Sequence, residues 1–243
     1  MSELSNYIDE YLKTEYTLKS TLKDSVQSSV YLYQKNDSAK QIVKISQKNR
    51  NDHVLRRLRG QLNKNTATIY EVCSNDEDVT VLEEYISGAT LRHIVEANGG
   101  TLKRELAVKY ALDICNGLVF IHSLGIIHRD IKPSNIIITE QGEAVIIDFG
   151  IARLTDDSKY ADTKNLGSAG YAAPEQFRVY QSGPVTDIYA VGVLLNELLL
   201  GVHPTIDTPK GKLGKVINKC IMAQMSKRYQ NVSELAEVLN KLL

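Results

Sequence analysis

The first fifteen residues carry apolar side chains at helical spacing. Leu4, Ile8, Tyr11 and Leu12 recur three or four positions apart, and such positions share one face of a helix. The pattern predicts a short amphipathic helix over residues 2–14, within an N-terminal helical extension of residues 1–15.

From Tyr16 to about Tyr85 the pattern changes to short segments in which apolar and polar residues alternate. Alternation rich in Val, Ile, Thr and Tyr is typical of strands, and it occurs in YTLKSTL, SVYLYQK, KQIVKIS, TATIYEV and VTVLEEY. Asn36-Asp37-Ser38 is typical of a hairpin turn between the second and third segments. One helical pattern, over residues 52–62, interrupts the series. We therefore expect a five-stranded antiparallel sheet with one helix.

After Gly88 the pattern is mostly helical. Apolar spacing predicts helices over residues 102–124, 184–200, 213–224 and 232–243. Two strand-like runs, 136–139 and 144–147, are joined by the turn signal Gln141-Gly142. A β-rich part followed by a helical part predicts an α+β chain with an N-terminal lobe over 16–86 and a C-terminal lobe over 87–243.

Composition limits the possible partners of this chain. Lys plus Arg is 29 and Asp plus Glu is 29, which argues against a basic nucleic-acid-binding arm and against a polyanionic tail. The neutrality hides a polarity, because residues 16–70 hold seven Lys and four Arg against three Asp. We expect no nucleic acid partner, and this basic region suits either capture of a polyphosphate or docking of an acidic or phosphorylated partner.

Cysteines and targeting signals point to a cytoplasmic location. Cys73, Cys115 and Cys220 are scattered, with neither metal-ligand spacing nor a disulfide framework, which suits a reducing compartment. The N-terminus lacks the basic and apolar regions of a secretory signal. The most apolar stretch, residues 189–200, is shorter than the ~20 residues that span a membrane, so no membrane segment is expected.

Four motifs carry the candidate chemistry. They are His128-Arg129-Asp130-Ile131-Lys132-Pro133-Ser134-Asn135, Asp148-Phe149-Gly150, Gly167-Ser168-Ala169-Gly170-Tyr171 and Ala173-Pro174-Glu175. In order and spacing they resemble the eukaryotic-type (Hanks-type) Ser/Thr protein kinase family, over about Leu18 to Leu242. The resemblance implies a bilobal fold, with a five-stranded antiparallel sheet and one helix before a mainly helical lobe.

The resemblance also implies roles for the motif residues. Asp130 would orient the attacking hydroxyl and accept its proton, and Lys132 would offset charge on the transferring phosphate. Ser168 matches a hydroxyl residue that contacts the catalytic Asp. Asn135 and Asp148 would hold Mg²⁺, or Mn²⁺, because their oxygens are hard ligands.

The nucleotide residues that the resemblance implies lie mostly in the N-terminal lobe. Lys44 matches the phosphate-anchoring lysine, with a solvated strand lysine as the alternative. Ile42 lies above the adenine position, and the carbonyl of Glu84 and the amide of Ile86 would bind adenine. The other expected nucleotide contacts are Val30, Ile137 and Lys23. Glu83 either guards the back pocket or reaches solvent or a nearby lysine.

Two departures from the family pattern affect nucleotide binding. Lys23, Ser25 and Ser28 stand at the three positions of the phosphate-loop glycines, where the serines would supply hydroxyls and Lys23 a cation. Between Tyr16 and Tyr70 there is no Glu to pair with Lys44. Of the acids there (Asp24, Asp37 and Asp52), Asp52 is best interpreted as the N-cap of the predicted helix. Lys44 would then bind phosphate directly or be held by Asp148.

Other positions are expected to act in structure or regulation. Asp187 resembles the buried acid that anchors the catalytic loop, and Glu175 with Arg228 resembles a structural ion pair. In the family pattern, a longer stretch that contains a substrate-docking helix stands where this chain has residues 201–215. In the family that this chain resembles, the arginine at the position of Arg129 often binds a phosphate on the activation segment, here residues 148–175. Thr163 is the favoured phosphosite, and an unmodified loop is the alternative. The candidate docking surface, with a solvated helix as its alternative, is formed by Arg50, Arg56, Arg57 and Arg59.

The sequence therefore predicts an ATP-dependent Ser/Thr kinase that phosphorylates a protein or peptide hydroxyl. Two alternatives stay open. The lost glycines and missing helix acid favour a pseudokinase that binds a partner, whereas the retained Asp130, Lys132, Asn135 and Asp148 oppose it. The shortened 201–215 segment favours a kinase for a dedicated peptide or small molecule.

Overall fold

The computed structural model describes residues 3–25, 28–48, 51–156, 168–177 and 182–243. The chain divides into two compact units. The first unit comprises residues 1–63 and 67–86, and the second comprises residues 64–66 and 87–243. Each unit is described by itself below.

The first unit is built on one antiparallel sheet. Its strands are β1 (Tyr16–Asp24), β2 (Ser28–Lys35), β3 (Gln41–Lys48), β4 (Ile69–Ser74) and β5 (Asp78–Glu84). They are arranged in the order β1-β2-β3-β5-β4, which confirms the predicted five-stranded sheet. The predicted turn joins β2 to β3, where Asp37 has a positive φ of 59°.

Helix α1 (Glu3–Glu15) covers one face of this sheet. Ile8 and Leu12 of the helix are each 1% exposed and pack in a cluster with Ile42 of β3 and Leu82 of β5. Cross-strand partners share a face, and Lys44 pairs with Leu82. Helix α1 therefore covers the face that carries Ile42, Lys44 and Leu82, which we call the α1 face.

Helix α2 (Asp52–Leu58) lies against the opposite face of the sheet. Its Asp52 accepts a hydrogen bond from Ser74 Oγ at 2.7 Å, and Ser74 pairs with Val79. Alternation along β5 puts Val79 and Val81 on the face opposite Leu82. Since Val81 pairs with Ile45 and Ile45 with Val30, these residues share what we call the α2 face.

Two details of α2 differ from the sequence prediction. The N-cap position belongs to Asn51, not Asp52. Asp52 lies in the first turn, where its carboxylate accepts from Arg56 Nε at 3.4 Å as well as from Ser74. The helix ends at Leu58 and not at residue 62, because Arg59 is extended (ψ 126°) and Gly60 takes a φ of +74°.

The second unit is mainly helical and carries two small sheets. Its helices are α3 (Leu91–Ala97), α4 (Arg104–Ser123), α5 (Pro184–Leu200), α6 (Gly211–Cys220) and α7 (Val232–Asn240). Its strands are β6 (Gly88–Thr90), β7 (Ile126–Ile127), β8 (Ile136–Thr139), β9 (Ala144–Ile146) and β10 (Arg153–Leu154). Within the described ranges, no helix combines the length and apolar character that crossing a bilayer requires.

Candidate active site

The catalytic loop, residues 128–135, follows strand β7 and is held by one carboxylate of helix α5. Asp187 is fully buried, and it accepts the backbone N–H groups of His128 at 2.9 Å and Arg129 at 2.8 Å. His122 Nε2 lies 2.8 Å from the same carboxylate. The predicted anchoring role of Asp187 is confirmed, because two backbone N–H groups of the loop donate hydrogen bonds to its carboxylate oxygens.

The charge state of Asp187 follows from these contacts. Burial raises the pKa of a carboxyl, but the hydrogen bond and charge of His122, with the backbone donors, bring the pKa of Asp187 below its usual value. The carboxylate is therefore ionised around neutral pH, and it fixes the loop with charge-assisted hydrogen bonds.

Asp130 lies at the centre of a closed network of polar side chains. Its Oδ2 accepts Lys132 Nζ at 2.6 Å and Asn135 Nδ2 at 3.0 Å. Its Oδ1 accepts Ser168 Oγ at 2.8 Å, and Lys132 Nζ also donates to that hydroxyl at 2.6 Å. In the second unit, three sequence-predicted site residues thus bond to a fourth, Asp130.

This network sets the protonation of Asp130. Burial raises its pKa, while the hydrogen bonds from Lys132 and Ser168 and the Lys132 charge outweigh burial and bring the pKa below its usual value. An ionised carboxylate at a fixed position suits the orientation of a substrate hydroxyl. Lys132 contributes a cation within 2.6 Å of the same carboxylate.

Asn135 and Asp148 offer oxygen ligands for a divalent cation. Asn135 Nδ2 is committed to the backbone oxygen and carboxylate of Asp130, both at 3.0 Å, which leaves Asn135 Oδ1 as the acceptor. Asp148 is exposed, and its Oδ1 accepts the backbone N–H of Gly150 at 3.0 Å. This hard donor set fits Mg²⁺.

Two non-glycine residues of the site have left-handed backbone conformations. Arg129 has a φ of 68° and Asp148 a φ of 66°, and each such residue costs roughly 1–3 kcal/mol unless its surroundings hold it. Arg129 is held by its Nε, which donates to Ile151 O at 2.7 Å, and by Gln176, which donates to Arg129 O at 2.9 Å. The motif residues are therefore fixed against their own backbone preference.

A buried ion pair supports the segment that carries Ser168. Arg228 donates to both carboxylate oxygens of Glu175 at 2.7 and 2.8 Å, and Thr186 Oγ1 donates to Glu175 at 2.9 Å. The predicted Glu175–Arg228 pair is confirmed. Tyr171 hydrogen-bonds Glu197 of α5, so the stretch from Ser168 to Glu175 is tied to the helices at Tyr171 and at Glu175.

The shortened segment after α5 is fixed to its surroundings by side chains. Asn196 Nδ2 donates to Val202 O at 2.8 Å and Asp207 O at 3.0 Å. His203 Nε2 lies 3.0 Å from Gly170 O, beside the Ser168 stretch. The segment begins with Gly201 at a φ of 68° and continues into α6 at Gly211.

The adenine-binding candidates lie in different units. Glu84 ends β5, with its backbone N–H on Thr68 O at 2.9 Å, and half-buried Ile86 follows. Ile137 of β8 is half-buried and belongs to the second unit. Glu83 is 7% exposed and does not reach solvent as one interpretation had it.

Val30, Ile42 and Lys44 do not share a face of the sheet. Val30 lies on the α2 face, whereas Ile42 and Lys44 lie on the α1 face, where Ile42 is 2% exposed. Lys44 Nζ pairs with Asp9 of α1 at 2.5 Å. The expectation that Lys44 lacks an acid partner is corrected, because its partner Asp9 belongs to α1 and precedes residues 16–70 in the sequence.

The serines at the glycine positions bond to each other. Ser25 Oγ donates to Ser28 O at 2.9 Å and accepts from Ser28 N at 3.2 Å. This closes the β1–β2 turn, so the Ser25 hydroxyl already has both a donor and an acceptor. Lys23 is exposed and pairs across the strands with Val30.

The regulatory expectations fall partly outside the described residues. The favoured phosphosite, Thr163, lies outside them, as does Arg50. In the candidate docking surface, Arg56 pairs with Asp52 at 3.4 Å and Arg59 with Glu71 at 3.1 Å. Two of its cations therefore already have intramolecular partners.

Known proteins match this chain over most of its length. A family model described as "Protein kinase domain" matches residues 14–243. A probable serine/threonine-protein kinase of Clostridium perfringens is 32% identical over 223 residues, which is 79% of this chain and 32% of that protein.

Shorter stretches match two further kinases. A probable serine/threonine-protein kinase PknB of Bifidobacterium longum is 42% identical over 51% of this chain and 18% of its own length. The calmodulin-binding receptor-like cytoplasmic kinase 2 of Arabidopsis thaliana is 39% identical over 60% of this chain and 37% of its own length. The chain thus spans between 18% and 37% of the length of these relatives. Because a loop geometry centred on Asp130 and a match over residues 14–243 coincide, this chain belongs to the protein kinase domain family.

Proposed function

We propose that this chain is an ATP-dependent serine/threonine kinase that transfers the γ-phosphate of ATP to a Ser or Thr hydroxyl of a protein or peptide. One observation carries the proposal: the ionised Asp130 carboxylate held by Lys132, Asn135 and Ser168. A scaffold has no need of this linked set, whereas a transferase uses each member.

Each residue of the network has a role in transfer. Asp130 orients the substrate hydroxyl, whose oxygen attacks the γ-phosphorus while the bond to the β-phosphate oxygen breaks and ADP leaves. The hydroxyl proton passes to Asp130 and then to solvent. Lys132 Nζ offsets charge on the transferring group, and Ser168 holds Lys132 and Asp130 in register.

Asn135 Oδ1 and the Asp148 carboxylate would hold Mg²⁺, or Mn²⁺. Bound there, the cation neutralises phosphate charge and orients the chain of phosphates. The Glu84 carbonyl and the Ile86 amide would bind adenine, with Ile137 and Val30 as apolar contacts and Lys23 near the phosphates.

A pseudokinase is the second candidate, and a specific observation favours it. Lys44 is paired with Asp9 on the α1 face, away from Val30, so this lysine is not available to a nucleotide beside Val30. The third candidate, a kinase for a dedicated peptide or small molecule, draws support from the short segment that Asn196 and His203 hold.

Partner and compartment complete the proposal. The candidate docking surface is a weak site for an acidic or phosphorylated partner, since Arg56 and Arg59 are paired within the chain. Cys73, Cys115 and Cys220 are free and buried, which supports a reducing, cytoplasmic compartment.

The experiment is a transfer assay with Mg²⁺ and γ-labelled ATP, alone, with a generic basic protein, and with a peptide library. We expect label on protein or peptide hydroxyls with wild type and none with Asp130→Asn. Thermal stabilisation by MgATP without label on any acceptor would contradict transfer and support the pseudokinase. Label on peptides alone would support the dedicated kinase.

A further inference from the structure

The lysines of β3 project from the α1 face. Lys44 pairs with Tyr31 on one side and Leu82 on the other, and Lys48 lies four positions further, on the same face. Leu82 and Ile42 beside Lys44 are buried beneath Ile8 and Leu12 of α1. Neither lysine of this strand shares a face with Val30.

The Lys44 ammonium already has an anionic partner. Its Nζ lies 2.5 Å from Asp9 Oδ1, and the Lys44 side chain is only 13% exposed. A phosphate group would have to replace a short ion pair beneath a docked helix. Lys44 therefore serves to fix α1 on the sheet.

On the α2 face, strand β3 carries apolar residues at the positions where a cation would be needed to bind the phosphates of a nucleotide beside Val30. The β3 residues on this face are Val43 and Ile45, which pair with Leu32 and Val30, together with the uncharged Gln41 and Gln47. Helix α2 also lies against this face, through Asp52 and Ser74. No lysine of β3 therefore lies on the α2 face.

Strand β1 supplies that cation through an irregularity in its pairing. Thr21 pairs with Tyr31 on the α1 face, and the register then shifts, so that Lys23 pairs with Val30 on the α2 face. A bulge of this kind redirects the side chains that follow it. Lys23 is exposed, and among the described residues it has no ion pair.

We propose that Lys23 is the phosphate-binding lysine of this chain and that Lys44 instead anchors α1. The inference rests on the proposed function, since it assumes that the chain binds ATP. A lysine ammonium is a compact point charge that suits phosphate. At the end of β1, next to the turn closed by Ser25 and Ser28, it replaces the cation that β3 directs elsewhere.

The test compares Lys23→Met with Lys44→Met, and Lys19→Met of the same strand serves as the control. The binding of MgATP and of adenosine is measured by calorimetry, and unfolding is followed by heat. We expect Lys23→Met to weaken MgATP binding roughly ten-fold or more and to leave adenosine binding unchanged, because adenosine has no phosphate. Lys23→Arg should retain most of the affinity.

Lys44→Met should lower the melting temperature and leave MgATP affinity unchanged. Asp9→Asn breaks the same ion pair without touching either lysine, so it should reproduce that effect even if Lys44→Met folds poorly. Loss of MgATP affinity in Lys44→Met and Asp9→Asn, with Lys23→Met like wild type, would overturn the inference.

Two outcomes separate this inference from the proposed function. Wild type that binds MgATP through Lys23 without transferring phosphate would refute the function and support the inference. If Lys23→Met transfers phosphate as well as wild type does, the inference is refuted and the function supported. Wild type that binds no MgATP would refute both.

Discussion

The two units of the chain keep the kinase pattern to very different degrees. In the second unit, Asp130, Lys132, Asn135 and Ser168 bond to one another, and Asp187 fixes the loop beneath them. In the first unit, Ser25 and Ser28 close the β1–β2 turn, and Lys44 pairs with Asp9 of α1. The reacting groups are conventional, whereas the nucleotide-side groups are rearranged.

The difference follows from how each part works physically. Positions in the second unit are linked by short hydrogen bonds, so one change disturbs several neighbours. A cation near a phosphate acts through charge at a distance, so another lysine at a similar place can replace it. Substitution is therefore more easily tolerated on the nucleotide side.

The largest expected effect is on turnover. Asp130→Asn keeps the shape of the side chain but removes its charge, and kcat should fall by roughly 10²–10⁴-fold, the usual contribution of a catalytic acid or base. Asp76→Asn, in an exposed turn, is the matched control. Rates would be measured with labelled ATP, and the melting temperatures of both variants compared. An Asp130→Asn enzyme of near wild-type rate would remove the contrast between the units.

The next effect is on the stability of the second unit. Arg228→Met leaves the buried Glu175 carboxylate without its bidentate partner, and the free energy of unfolding should fall by about 3–5 kcal/mol. The double variant with Glu175→Met should lose less than the single change. Urea unfolding measures both, and a loss below about 1 kcal/mol would show that the pair is not important for stability.

Helix α1 should contribute a comparable stability to the first unit. Ile8→Ala empties a site that is 1% exposed, and the unfolding free energy should fall by about 2–5 kcal/mol. Tyr7→Ala, at a residue 66% exposed, should change it by less than about 0.5 kcal/mol. Equal effects in urea titrations would mean that α1 does not pack on the sheet in solution.

The smallest effect concerns acid sensitivity. Burial lowers the pKa of His128, and the acidic neighbours Asp187, Asp148 and Asp130 only partly oppose this. Below about pH 6.5 the unfolded chain then binds a proton that the folded chain does not. The free energy of unfolding therefore decreases as the pH falls, by at most about 1.4 kcal/mol per pH unit. This loss ends below the folded pKa.

Replacement of His128 tests that slope. His128→Gln keeps a hydrogen-bond acceptor but does not titrate, so the unfolding free energy should depend less on pH between 6.5 and 5. Exposed His93→Gln should leave the slope unchanged. A wild-type slope retained in His128→Gln would assign the acid sensitivity to other groups.

Local patterns were sufficient to predict most elements and the catalytic loop. Alternation predicted all five strands of the first sheet, and helical spacing predicted α4, α5 and the N-terminal helix. The resemblance to the kinase family implied the contact between Ser168 and Asp130, whereas the hydrogen bonds of Lys132 and Asn135 to Asp130 were not predicted. Helix α3 was not predicted as a separate element, since its seven residues give a weak periodic signal.

The nucleotide side could not be predicted so well, because it depends on long-range pairing. Asp9 and Lys44 are 35 positions apart, and no local pattern connects them. The face of Lys44 depends on how many residues the turn holds. A loop of Asn36-Asp37-Ser38 alone would pair Val30 with Lys44, whereas Ala39 is a fourth turn residue, so that Lys35 N donates to Lys40 O and Val30 pairs with Ile45. The bulge that turns Lys23 has no comparable signature.

Helix α1 has a consequence for the order in which this chain acquires its structure during synthesis. The helix leaves the ribosome before any strand of the sheet that it covers, and Leu82 follows Ile8 more than seventy positions later. Until β3, β4 and β5 have all been made, the apolar surface that buries Ile8 and Leu12 is incomplete. The nascent chain therefore carries an exposed apolar stripe through the translation of its whole first unit, which is a period of exposure to aggregation and to chaperone binding.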